Sequence, residues 1–204
     1  STIKPYWFVW GKVCGLYNVL IARTGYTGED GFEIYIPSDE ATSERVWNEV
    51  LAAGDECGIM PCGLGARNTL RLESAMALYG HEISDTINVL ESGLGRYAKL
   101  DKPSFVGRDA LLEIQNAGGP KRKLIGLEMI ERGIARDGYP VCAIDGTKIG
   151  AVTSGSPAPF LKKNIALSYV PVQYAGLDEE LAVEIRGKPV AARVVKTPFY
   201  SRNK

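Results

Sequence analysis

The sequence predicts an α+β fold: antiparallel sheets with flanking helices, followed by a small all-β domain of barrel or jelly-roll type. Three observations carry that prediction. The first part of the chain mixes short apolar runs of strand length with amphipathic stretches of helical period. The run Asn116-Ala117-Gly118-Gly119-Pro120 then stops helix and strand alike, because glycine is too free and proline lacks the amide hydrogen. Beyond it come only strand patterns, at hairpin spacing. The domain boundary therefore falls between residues 119 and 120, giving an incomplete α+β domain over 1–119 and a β domain over 120–204.

Residues 17–23 and 32–36 read as strands joined by Gly25-Tyr26-Thr27-Gly28-Glu29-Asp30-Gly31, whose three glycines permit backbone angles that other residues resist. The two-residue period of a strand puts Phe32, Ile34 and Ile36 on one face and Glu33 and Tyr35 on the other, the open face of a half-buried strand. After Pro37 a helix starts, with Ser38 as N-cap and Asp39 and Glu40 in its first turn; Val46, Trp47, Val50 and Leu51 form its apolar stripe and Gly54 ends it. A second helix is expected over residues 64–78, turning Leu64, Leu70, Ala77 and Leu78 inward, with Arg67 and Arg71 one turn apart. A third, short one begins near Gly107. In the β domain, strands are expected over 123–129, 140–144, 148–153, 165–170, 181–186 and 190–195, with Asp145-Gly146 as a two-residue hairpin and a further turn at Gly187-Lys188.

Composition narrows function by exclusion. Twenty-four basic side chains balance 24 acidic ones, so no general attraction draws the chain to nucleic acid or to an anionic membrane, and an acidic ligand must be met by individually placed cations. No run approaches the ~20 apolar residues of a membrane-spanning helix. Cys14, Cys57, Cys62 and Cys142 form no C-x-x-C pair, and with His81 the lone histidine no zinc ligand set is present; the cysteines read as reduced, mostly buried thiols of an intracellular protein. No secretory or transit segment is visible. The opening run Pro5-Tyr6-Trp7-Phe8-Val9-Trp10 is rich in large aromatics that would bury against a further region of protein, and predicts exposed apolar surface.

None of the general catalytic signatures is present. The glycines of residues 25–31 lack the Lys-Ser/Thr ending of a P-loop, Gly63-Leu64-Gly65-Ala66-Arg67-Asn68 ends in asparagine where a dinucleotide fingerprint needs glycine, and no G-x-S-x-G elbow occurs. The combination is more specific. Residues 25–36, then Gly63-Leu64-Gly65-Ala66-Arg67-Asn68-Thr69-Leu70-Arg71-Leu72-Glu73, Leu78-Tyr79-Gly80, Leu90-Glu91-Ser92-Gly93-Leu94-Gly95, Phe105-Val106-Gly107-Arg108-Asp109-Ala110-Leu111, Ile149-Gly150-Ala151-Val152-Thr153-Ser154-Gly155-Ser156 and Pro198-Phe199-Tyr200 follow one another in an order that closely resembles the aminomethyltransferase (T-protein) family of the glycine cleavage system. The resemblance runs from about Val19 onward and covers the C-terminal part of the family, a little over half.

The resemblance implies transfer of a methylene unit from an aminomethyl group, carried on the lipoyl arm of the H-protein, to the co-substrate tetrahydrofolate, with release of ammonia. It implies Glu33 as the carboxylate that takes the paired N–H donors of a reduced pterin, Tyr26 as an aromatic beside the folate, and Arg67 as an arginine contacting it. It implies no catalytic residue within these 204 residues: the family's aspartate near the reactive nitrogen belongs to an N-terminal region that the resemblance does not include, so the chain alone is expected to be inactive. The location implied is bacterial cytoplasm or mitochondrial matrix. Similar folate-receiving portions occur in sarcosine- and dimethylglycine-oxidising enzymes, and a folate-binding accessory protein without transfer activity is a further alternative. Read without the resemblance, Glu33 is a solvated residue on an open strand face, Arg67 a helix cation pairing with Glu73 or Asp30, and Tyr26 a turn aromatic covering core. Arg71 and Arg108 read as structural, paired with acids or helix ends, and His81 as a histidine without function. Tyr200 and Arg202 lie where the family's variable tail reaches towards folate.

Overall fold

The computed structural model describes residues 2–202, so the outer limits of the two expected domains, residues 1 and 204, lie outside it. Packing divides the chain into one unit up to Asn68 and a second from Thr69 onward, with the division inside a helix. The fold is α+β, with antiparallel sheets, flanking helices and a closed β-barrel.

In the first unit, β1 (Phe8–Val13), β2 (Leu16–Ala22) and β3 (Glu33–Tyr35) form an antiparallel sheet in that order. β1 lies in the aromatic run that the sequence marked only as surface. The expectation of exposure itself holds, for Tyr6, Trp7, Phe8, Val9 and Trp10 are all exposed. β3 differs from its reading: Phe32 and Ile34 are exposed as well as Glu33 and Tyr35, because this edge strand of three residues pairs on one side only and neither of its faces is covered. Helix α1 (Glu40–Gly54) is capped by Asp39 and not Ser38. The Asp39 carboxylate accepts from the Thr42 amide at 2.8 Å, and that bond holds its pKa below the ordinary value. A short 3-10 turn (Asp55–Cys57) prolongs α1 past Gly54, and Gly58, at φ 70°, ends it. Of the expected stripe only Val46 is fully buried, and Trp47 is exposed.

Helix α2 (Leu64–Glu73) is shorter than its pattern suggests. Ala75 at φ 51° turns the chain away, so Ala77 and Leu78 lie beyond the helix, and Leu64 is 83% exposed. Nothing in the sequence marks that turn, since no glycine or proline stands there. Helix α3 (Arg108–Asn116) begins where expected, after Gly107 at φ 87°. Arg108 is structural as read, donating from Nε to the Leu100 carbonyl at 3.1 Å and pairing with Asp109.

The barrel closes through β4 (Arg122–Met129), β7 (Lys163–Pro171), β6 (Lys148–Ala158), β5 (Pro140–Cys142), β8 (Glu180–Ile185) and β9 (Lys188–Val195), with β9 returning to β4. Its interior is filled by Ile125, Leu127, Val141, Val152, Leu181, Val183 and Val194. β7 is buried on both faces: Ala166 and Val170 point to the interior, while Ile165 and Leu167 pack outside it with Leu72 of α2. The β8–β9 turn places Arg186 and Gly187 both at positive φ, 54° and 76°, the geometry that matches strand twist in a two-residue loop. The Asp145-Gly146 hairpin is longer than predicted. Ala143 bonds to Thr147 across Ile144, Asp145 and Gly146, and Asp145 accepts from the Thr147 amide at 2.9 Å. All four cysteines are free, but Cys57 and Cys62 are exposed where burial was expected.

One polar knot stands out against the apolar wall. β6 runs on past the predicted end at Thr153 to Ala158, with a register shift between Val152 and Ser154. At this irregularity Ser154 accepts from Arg71 Nη2 at 2.8 Å and Thr153 donates to Glu82 Oε1 at 2.6 Å. Glu82 Oε2 takes Arg71 Nη1 at 2.8 Å and the Leu78 amide at 2.9 Å, while the Glu82 carbonyl accepts from the Tyr169 hydroxyl at 2.7 Å. Arg71 and Glu82 are 1% and 0% exposed. Burial, and then Glu91, push the Tyr169 phenol up to about 12, so it stays a donor at any physiological pH. His81 joins the same edge through Nδ1, 2.8 Å from the Thr153 carbonyl.

Removing one partner of such a pair leaves a buried charge uncompensated. Arg71→Met should cost about 3–5 kcal/mol in urea unfolding, whereas a loss under 1 kcal/mol would show the knot to be dispensable. Glu73 supplies a pH signature. It is buried at the end of α2, and burial raises its pKa against the lowering effect of the Phe160 and Leu161 amides. Below the ordinary glutamate pKa, near 4.3, folded and unfolded chains both hold the proton. Above it the unfolded chain ionises first, so this group's contribution to stability falls as pH rises through the window up to the folded value. Glu73→Gln should flatten that slope above the ordinary glutamate pKa in urea midpoints, and an unchanged slope would assign it to other groups.

Candidate functional site

Tyr26, Glu33 and Arg67 all lie in the first unit. Strand pairing positions Glu33. Ala22 of β2 stands opposite Glu33 and Phe8 of β1 stands opposite Ala22, while the next row on that face joins Trp10, Leu20 and Tyr35. Glu33 thus shares an open sheet face with the exposed rings of Phe8, Trp10 and Tyr35. It takes part in no ion pair among the described residues; its partner is the Thr24 hydroxyl, which donates to Oε2.

Tyr26 is half-buried in the Gly-rich loop, and the Arg67 guanidinium lies over its ring, 4.4 Å from the centroid. Such a stack is worth about 0.5–1 kcal/mol at an exposed position and keeps a planar cation beside a planar ring. Among the described residues no ion pair joins Arg67 to Asp30, whose carboxylate is bound by Arg23. The structure brings Arg67 and Tyr26 together, while Glu33 is joined instead to Thr24, two residues before Tyr26 in the chain. Thr24 holds Glu33 and Tyr26 meets Arg67, so the two contacts are rooted within about 7 Å of backbone.

The loop is closed at its base. Arg23 donates to both carboxylate oxygens of Asp30, from Nε at 2.8 Å and Nη2 at 2.7 Å, and from Nη1 to the Ile3 carbonyl at 2.7 Å. The bond to Asp30 raises the Arg23 pKa above its ordinary value. Of the three loop glycines only Gly28 uses a positive φ, 80°; Gly25 and Gly31 do not, and a Cβ on either would meet nothing within 4 Å. The sequence reading of all three as turn-enabling is corrected to one. Arg23, Thr24 and Asp30 are the residues it missed. The signal was the Arg-Thr pair at the end of an apolar strand, opposite the acids that follow the glycines.

Tyr200 belongs to the second unit, where its amide donates to the Glu73 carbonyl at 2.8 Å and its ring meets Phe160 edge-on at 5.0 Å. A depression at one end of the barrel, lined by Cys142, Asp145, Gly146, Glu184 and Pro189, holds none of the predicted residues. No helix among the described residues is long and apolar enough to cross a membrane.

A sheet with helices is thus followed along the chain by a closed barrel. Residues 1–102 match the model described as GCVT N-terminal domain, and residues 122–201 match the glycine cleavage T-protein C-terminal barrel domain. The chain belongs to the glycine cleavage T-protein, or aminomethyltransferase, family of transferase enzymes. It is 72% identical over its whole length to an aminomethyltransferase of Acidobacterium capsulatum, of which it covers 54%, and 64% identical over its whole length to that of Koribacter versatilis, of which it covers 53%. Among solved structures, the glycine cleavage system aminomethyltransferase T of Bartonella henselae is similar with a TM-score of 0.79 and 34% identity, over 89% of this chain and 50% of that one. The chain spans about half the length of these relatives.

Proposed function

We propose that this chain is the folate-binding C-terminal portion of a tetrahydrofolate-dependent aminomethyltransferase, in which Glu33, Tyr26 and Arg67 hold the co-substrate. The reading is supported by the stack of Arg67 on Tyr26 and by the Thr24-held Glu33 carboxylate, rooted on the same loop, in a chain whose relatives are aminomethyltransferases. The residues suit the ligand. An ionised carboxylate has about four acceptor positions, and Glu33 gives one to Thr24 and none to a cation, so it keeps its charge for the ring N–H and amino group of a reduced pterin. The Tyr26–Arg67 stack adds a flat surface and a cation for the rest of the molecule.

When bound, tetrahydrofolate supplies the nitrogen that accepts a one-carbon unit. The reaction proposed for the whole enzyme is methylene transfer from the aminomethyl-lipoyl arm of the H-protein, with ammonia released. The work of this chain's residues is to bind and orient, since the transfer depends on positioning and on stabilising cationic charge more than on a protein nucleophile. We assign the stabilisation of that charge to the part of the relatives' length not spanned here and expect these 204 residues by themselves to be inactive. The open face bearing Phe8, Trp10 and Tyr35 suits cover by that same part. The division 1–119 and 120–204 is proposed as the domain organisation, supported by the start of the barrel at Arg122. The bacterial sources of the relatives favour bacterial cytoplasm as the location.

Glu33→Gln replaces an acceptor pair by one acceptor and one donor. It should weaken tetrahydrofolate binding by about 10- to 100-fold in isothermal titration, with an unchanged melting profile. Equal affinity for the two chains would remove Glu33 from the site.

A further inference from the structure

We infer that Thr24 is a positioning residue for the folate-binding carboxylate, holding Glu33 in its binding orientation while leaving its charge uncompensated; this rests on the function proposed above. The terminal torsion of a glutamate is broad and nearly two-fold, so an exposed Glu33 left to itself samples many carboxylate planes. A hydrogen bond to Oε2 removes much of that freedom before a ligand arrives. The donor matters as much as the bond. Arg23 is the adjacent cation, and its guanidinium is consumed by Asp30 and by the Ile3 carbonyl. Glu33 is therefore oriented by a neutral hydroxyl and not by a charge that would compete with a cationic or amidine-like ligand edge.

Thr24 suits the task. Ala22 stands opposite Glu33, and Thr24 lies two residues beyond it, just past the end of β2, within hydrogen-bond reach of the carboxylate. Its branched Cβ limits rotation, so the hydroxyl is presented in few directions. The residue before it is fixed both through the Asp30 clasp and through backbone bonds, Arg23 N to the Trp7 carbonyl at 2.9 Å and Tyr6 N to the Arg23 carbonyl at 2.9 Å. The donor thus stands on a tethered backbone, not on the free part of the loop.

The test is a double-mutant cycle read by isothermal titration of tetrahydrofolate, kept reduced by thiol, into the 204-residue chain. Thr24→Val keeps the shape and removes the donor. It should weaken binding about five- to ten-fold, Thr24→Ser should restore affinity to within about two-fold, and Thr24→Val should cost nothing further in a Glu33→Gln background. An equal loss in both backgrounds would make Thr24 merely structural and overturn the inference. So would wild-type affinity for Thr24→Val when Glu33→Gln binds weakly; in that case the folate reading stands alone. Wild-type affinity for Glu33→Gln would overturn the reading on which both rest. If Thr24→Val fails to fold, as judged by its melting curve, Thr24→Ala carries the same cycle.

Discussion

The pairing of Ala22 with Glu33 governs what the first unit can offer a ligand. Side chains alternate along a strand, so a slip of one residue between β2 and β3 would carry Glu33 to the face now held by Ile34 and put an isoleucine in its place. Neither face of β3 is buried, so hydrophobic burial cannot enforce this register from within the chain. The loop enforces it instead. Arg23 at the exit of β2 and Asp30 shortly before β3 are joined by two parallel hydrogen bonds, a geometry that tolerates little displacement. The Thr24–Glu33 bond then follows from the register, and the Tyr26–Arg67 stack sits on the loop so closed.

The second unit solves a different problem. A six-stranded barrel of short strands must also fix the long segment between α2 and its first strand, none of whose apolar side chains is fully buried. It does so with Arg71 and Glu82, each fully buried and each saturated by backbone and hydroxyl partners. Such a pair adds little net stability over an apolar equivalent, but it tolerates no wrong partner and so fixes position more sharply than packing alone.

Strands bounded by turn residues were the legible part of this fold. Every barrel strand was readable, because alternation and positive-φ residues such as Gly146 and Gly187 are local properties. The end of α2 was not, since Ala75 adopts positive φ with no glycine to announce it. β1 was hidden because an edge run exposed on its aromatic residues carries no alternation to detect. Of the candidate site, the residue types were legible through the family resemblance. The stack of Arg67 on Tyr26 was not, because a helix and a distant loop meet only in three dimensions. Arg71 was read correctly as structural, but its partner Glu82 lies in a segment without periodicity and was not singled out.

In the proposed site a reduced folate is held by the loop and strand at residues 24–33 together with Arg67. Amide chemical-shift mapping of the isotopically labelled chain on addition of tetrahydrofolate addresses it directly. Shifts should concentrate at residues 24–33 and around Arg67. Shifts confined to the barrel depression around Cys142 and Glu184, with the loop unmoved, would contradict it.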